Sequence, residues 1–170
     1  MSIDTYIKHL RDREYMSGVD RDQIRIKATG EVFTPTPLVT EMLDQIDPAA
    51  YMNQNNTFID SSCGDGQFLS EVLIRKLENG HDFETALSTI YGVDIMLDNV
   101  ELCRERLLCG HEELRHVVEA NILVGNTLDP LASVPFQTKQ DRARMKELFH
   151  KSQSDHAVDS LVSTGLFELA

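Results

Sequence analysis

The sequence is short of the features that would place it outside ordinary soluble proteins. It has 170 residues, no tryptophan, three cysteines and five prolines. Cys63, Cys103 and Cys109 cannot all pair with one another, so a cytoplasmic chain with free thiols is the simple reading. No apolar run approaches the ~20 residues a membrane span needs. The opening stretch MSIDTYIKHLRDREY is polar and lacks the apolar core of a signal peptide, so no membrane partner is expected. A Gly-Lys-Ser/Thr signature is absent, which excludes the P-loop. The six histidines show no metal-ligand spacing, and no metal is expected. Positive charge is scarce, with 16 Lys and Arg against 28 Asp and Glu and a net charge of -12. That disfavours binding nucleic acid through its phosphates, and any affinity for DNA needs a local basic patch or another chain. The basic residues at 8–27 and 139–151 are interleaved with acids and read as solvated helix faces.

What is present is an ordered alternation. The hydrophobic content of 41% and the chain length suffice for one domain with a real core. Residues 1–29 read as one or two polar helices, with Gly18 as a break. Thr34 and Thr36 precede prolines and are held extended. Thr36 then suits a helix cap and Pro37 a first helical position, with Leu38, Val39, Met42, Leu43 and Ile46 on one face. TFIDSS reads as a buried strand. Phe68, Leu69, Val72, Leu73 and Leu77 repeat at helical spacing, with Arg75 and Lys76 in the last turn and Gly80 as the stop. A short helix DFETALST leads to the strand IYGVDI. The amphipathic LDNVELCRERLLCG and EELRHVVEA then lead to a third strand, NILVGN. Strand, helix, strand, helix, strand is the pattern of a parallel sheet with helical crossovers. Beyond it, one polar helix is expected near 139–151, and the apolar stretch LVSTGLFEL fits helix or strand equally.

In an open parallel sheet, ligands bind outside the carboxyl ends of the strands. Those ends are expected at Asp60, Asp94 and Asn126. Gly64 and Gly66 let a ligand lie against the chain and let the loop take positive φ. The loop opens a helix, which favours a negative group, while Asp60 favours a positive one. A free amino acid carries both charges. Asp94 can accept from the vicinal hydroxyls of a ribose, Ile95 can cover one face of a purine, and the Asn126 amide matches one edge of adenine. An amino acid, a ribose and an adenine make S-adenosylmethionine. The rival, a nicotinamide cofactor, wants a third glycine where Leu69 stands, and Asp60 suits an ammonium better than a pyrophosphate.

GEVFTPTPLVTEML, FIDSSCGDGQFLSEVL, YGVDI and ILVGNTL together resemble the N6-adenine DNA methyltransferases, in particular those of type I and type IIG restriction–modification systems. The order and spacing match over about residues 29–128. The resemblance implies a Rossmann-like partial methyltransferase fold, an α/β arrangement whose short parallel sheet has the order 3-2-1. It further implies that Phe33 and Thr34 touch the methionine part of the cofactor, and that Asp60, Ser62, Gly64 and Gly66 line the same end. Asp94 and Ile95 would hold ribose and adenine, and Asn126 the adenine edge. Asn126 stands where the family usually has Asp, so an acceptor is kept and a charge is lost.

The same family carries an Asn/Asp-Pro-Pro-Tyr/Phe motif after its fourth strand. Its polar groups accept the two hydrogens of the adenine amine, and its aromatic ring stacks on the flipped base. Here no two prolines are adjacent. SVPF, Ser133 to Phe136, lacks the first proline, follows Asn126 too closely and reads as a loop, so no catalytic residue is assigned. The residues beyond Leu128 are too few for the remaining strands and a target-recognition domain. The expected division is a helical segment over 1–29, a cofactor-binding domain over 30–129, and a helical tail or sheet cover over 130–170. Such a half would be completed by another methyltransferase chain that also brings DNA, or would form a homodimer. The alternatives are a binding or regulatory module, even a decoy, that does no chemistry, and a decayed or truncated gene product that still folds.

Overall fold

The computed structural model describes residues 1–12, 34–130 and 132–154, without the side chains of 149–154. Phe33, the expected helical segment over 13–29 and the apolar stretch 161–169 lie outside the described residues. Helix α1 spans Ile3–Arg11 and is capped by Ser2, whose side chain accepts from the Thr5 amide. Its Tyr6 and Leu10 are buried. Helix α2 spans Thr36–Leu43, one residue earlier than expected. Pro37 lies in its first turn, where a missing N–H is no loss. Thr36 does not cap it; its Oγ1 instead accepts from Gln67 Nε2 at 2.7 Å. A short helix α3, Ala49–Met52, leads to the sheet.

Three parallel strands follow, β1 Phe58–Asp60, β2 Ile90–Asp94 and β3 Ile122–Val124, in the order β1-β2-β3. This is the expected 3-2-1 order viewed from the other edge. Phe58 pairs with Ile90 and Asp60 with Gly92; Gly92 pairs with Ile122 and Asp94 with Val124. The crossovers are α4 Gln67–Glu78 with α5 Phe83–Ser88, and α6 Leu97–Leu108 with α7 Arg115–Asn121. Helix α5 is capped by Asp82, whose side chain accepts from the Thr85 amide at 2.9 Å. Strand β3 is shorter than the expected NILVGN. Asn121 ends α7, and the Asn126 side chain closes a turn by accepting from the Leu128 amide at 3.0 Å.

Side chains alternate between the two faces of the sheet. Ile90, Ile122 and Val124 join the main core with Leu69 and Leu73 of α4 and Val100, Cys103 and Leu107 of α6. Behind α4, the fully buried Lys76 donates to the Asn56 carbonyl at 2.8 Å and lies over the Phe58 ring. Burial pushes its pKa down. Val93 and Leu123 point the other way and meet Met145 of α8, Lys139–Ser154. A Cβ on Gly125 would stand 2.8 Å from Met145 Cε, so this glycine permits the close approach of α8. Ile59, on the outermost strand, is half-buried and belongs to neither cluster. No helix among the described residues is long and apolar enough to cross a membrane.

Met145 is the fully buried anchor of α8 on the second face. Met145→Ala is expected to lower unfolding stability by about 2–4 kcal/mol, measured by chemical denaturation.

Candidate functional site

The glycine loop between β1 and α4 is built by bonds to β2. Cys63 N donates to the Val93 carbonyl at 2.9 Å and prolongs the ladder. Gly64 N donates to Asp94 Oδ2 at 3.0 Å. Gly66 N donates to the Cys63 carbonyl at 2.8 Å, and the Gly66 carbonyl accepts from Ser70 N at 2.8 Å as α4 begins. Gly64 and Gly66 have φ of 51° and 82°. A Cβ on Gly66 would meet Cys103 Sγ at 2.6 Å, so this position needs glycine for conformation and for space.

Asp60 ends β1, and its Oδ1 accepts from Ser62 N at 3.0 Å. Burial pushes its pKa up to about 6; the Ser62 amide opposes that rise and the negative Asp94 adds to it. The result is a carboxylate short of positive charge, next to an exposed Ser62. Asp94, at the end of β2, is 8% exposed. Besides Gly64 N it accepts from Met96 N at 2.8 Å and Asn99 Nδ2 at 3.3 Å. The carboxylate that the sequence assigns to a ribose therefore braces the loop and holds the Met96 amide just ahead of α6. Ile95 beside it is 46% exposed. Thr127 Oγ1 donates to the Ser61 carbonyl at 3.0 Å, which draws the loop carrying Asn126 across to the loop after β1. Thr34 is half-buried just ahead of α2, whose Thr36 is tied to the glycine loop through Gln67. Asp60, Ser62, Gly64, Gly66, Asp94 and Ile95 thus share one end of the sheet, with Asn126 and Thr34 brought in by neighbouring contacts; Phe33 is outside the described residues.

Two participants were not singled out from sequence. Gln67 is 4% exposed, and its Oε1 is buried without a hydrogen-bond partner beside the loop. Its position as the first helical residue after Gly66 was the available signal. Asp65 is 1% exposed and lies 3.5 Å from Arg106 Nη1, while Arg106 Nε donates to the Leu10 carbonyl at 2.7 Å. This buried pair fastens the loop to α6 and α1, and nothing in the local sequence links residues so far apart. Cys63 is buried, and its neighbour Cys103 together with burial pushes its thiol pKa up, which makes it a packing residue and no nucleophile. Among the described residues no cluster of three or more His, Cys, Asp or Glu could hold a metal ion.

An open parallel sheet, a glycine loop leading into a helix, and carboxylates closing adjacent strands define a Rossmann-like α/β protein; in such sheets ligands bind at the carboxyl edge. A family model described as N-6 DNA Methylase matches residues 21–151. The chain belongs to that DNA-methylating methyltransferase family. No curated protein and no solved structure matches it.

Because the folded state raises the Asp60 pKa, it holds that proton more tightly than the unfolded chain does. The benefit is full below the ordinary carboxylate pKa and lost as pH rises through about 6. Asp60→Asn is therefore expected to stabilise the fold by about 1–3 kcal/mol at pH 7.5, with the gain vanishing towards pH 4, as read from thermal unfolding across pH. Loss of the Asp94 carboxylate is expected to destabilise the fold instead. Asp94→Ala leaves the Gly64 and Met96 amides without their acceptor and should cost about 2–4 kcal/mol at pH 7.5 in the same measurement.

Proposed function

We propose that the chain is the S-adenosylmethionine-binding part of an N6-adenine DNA methyltransferase, and that methylation of the base requires another chain. The observation that carries the cofactor reading is Asp60, a carboxylate pushed to about 6 at the carboxyl end of β1, beside a loop of amides with positive φ. An ammonium would meet the negative charge of Asp60, and a carboxylate would suit the loop that opens α4. The orphaned Gln67 Oε1 is a further acceptor at this end. Thr34, Ser62, Gly64 and Gly66 would line the methionine part, with Phe33 by resemblance. Asp94 would reach the ribose while sharing its carboxylate with the loop, and Ile95 and Asn126 would border the adenine. Bound there, the cofactor supplies the electrophilic methyl group, and these residues orient it.

The need for another chain rests on the sequence and on the edge of the sheet. No Asn-Pro-Pro-Tyr-like motif is present to accept the hydrogens of the adenine amine. Among the described residues β1 pairs on one side alone, with β2. Helix α8 lies on the face opposite α4 and α6. A right-handed crossover from that face runs back towards β1, so a further parallel strand belongs on its outer edge. A strand contributed by a methyltransferase chain would fill it and cover Ile59.

The absent motif equally favours a second reading, a cofactor-binding module that does no chemistry. Methyl transfer from labelled S-adenosylmethionine to mixed-sequence DNA, with and without host extract, separates the two. Transfer that appears with extract supports the split enzyme; tight cofactor binding without transfer in either supports the module. Calorimetry with S-adenosylmethionine and, separately, NAD tests the cofactor. Affinity for S-adenosylmethionine is expected to weaken several-fold from pH 7.5 to 5.5 as Asp60 takes up its proton, and to be weaker and nearly flat with pH in Asp60→Asn. Equal affinity in both proteins at pH 7.5 overturns the assignment of the ammonium to Asp60.

A further inference from the structure

Arg106, in the last turn of α6, is buried against the glycine loop. Its guanidinium faces two ways. Nη1 lies 3.5 Å from Oδ2 of Asp65, the residue between the two glycines of positive φ. Nε donates to the Leu10 carbonyl at 2.7 Å, and Nη2 donates to the same oxygen. Leu10 lies in the last turn of α1, where carbonyls lack a partner within the helix and the dipole favours a cation. One side chain thus joins residues 10 and 65. Arginine suits the place because its planar fork reaches two acceptors at once, which a single ammonium does less well.

The end of α1 is in turn held by α4. Arg11 Nε and Nη2 donate to Glu71 Oε1 and Oε2, both at 2.9 Å, and Glu71 is buried. Glu71 lies one turn after Gln67, in the helix that the glycine loop opens. Two neighbouring residues of α1 therefore act on the same region, Leu10 through Arg106 and Arg11 through the start of α4. Asp94 grips the loop by the Gly64 amide, and Arg106 grips the next residue by its carboxylate. With a glycine on each side of Asp65, the backbone has little stiffness of its own, so its shape depends on such grips. We propose that Arg106 is a positioning residue of the candidate site: resting on the end of α1, it keeps the glycine loop in the shape that accepts a ligand. What this says of the cofactor rests on the reading above; what it says of the loop does not.

The test uses two readouts on the intact chain. One is hydrogen exchange of the Gly64 and Gly66 amides without ligand, relative to the amides of β2, which measure global opening. The other is calorimetric affinity for S-adenosylmethionine below the unfolding transition. The variants are Arg106→Met, Arg106→Lys, Asp65→Asn, Arg11→Gln and the double variant Arg106→Met with Asp65→Asn. In Arg106→Met the two glycine amides should exchange about tenfold faster relative to β2, and affinity should fall about tenfold, the factor for a loop that holds its shape a tenth of the time. Arg106→Lys should recover part of both, and Arg11→Gln should move both the same way by less. The double variant should bind no more weakly than Arg106→Met, because the two residues act as one. Where Arg106→Met does not fold, Arg106→Lys and Asp65→Asn provide the same comparison. A lower unfolding midpoint with glycine amides unchanged relative to β2 overturns the inference and makes Arg106 a residue of the fold alone. Loosened glycine amides with unchanged affinity overturn it as well, since the loop then does not govern the ligand. A wild-type chain that ignores S-adenosylmethionine overturns the cofactor reading, and the exchange readout then decides the inference by itself.

Discussion

The candidate site depends on one carboxylate. Asp94 accepts from the Gly64 amide on one side and from Met96 and Asn99 on the other. The end of β2 thereby fixes the loop after β1 and the first turn of α6 together. Without that bridge the loop would be held from β2 by Cys63 N on the Val93 carbonyl alone, among its described contacts. Gly64 can offer its amide because its backbone takes a left-handed conformation, and Gly66 then brings α4 against Cys103 with no side chain between. Each piece of local geometry serves the convergence of three elements on one point.

That convergence places two negative groups on adjacent strand ends. Burial makes Asp60 hard to ionise, and the negative Asp94 adds to that. A structure selected for stability alone would put an amide or an apolar side chain at residue 60. The opposite solution lies behind the loop, where Asp65 is buried against Arg106, and Arg106 also serves the Leu10 carbonyl. Asp65 in the loop thus has a cation of the protein beside it, whereas Asp60 at the strand end is held by the Ser62 amide.

Much of this fold is legible in the sequence because it is local. Glycine pairs, helix periodicity and short apolar runs ending in a polar residue mark the three strands and their crossovers. Where the strands stop is less legible. NILVGN reads as one strand, yet Asn121 belongs to α7 and Asn126 bends away by bonding to the Leu128 amide. Thr36 reads as a cap, yet its hydroxyl is drawn to Gln67, a tertiary contact that no local pattern encodes. The candidate site divides the same way. Asp60, Gly64, Gly66 and Asp94 can be picked out because strand ends and glycines announce themselves. Gln67 and the Asp65–Arg106 pair cannot, since their meaning lies in partners far along the chain. Lys76 shows the limit most clearly: it reads as a favourable cation at a helix end, and it is that, but its amine is fully buried on the Asn56 carbonyl.

The order of the strands has a consequence for how the chain comes together. Each strand pairs with its immediate successor in sequence, β1 with β2 and β2 with β3. Each of these pairings joins strands close in sequence, and the intervening helix is available to close each loop as it emerges. Such a sheet can zip up from its amino-terminal side while the ribosome is still adding residues, because the entropy of each closure is met before the next begins. Helix α8 follows β3 in the chain and packs Met145 against Val93 and Leu123 on the second face.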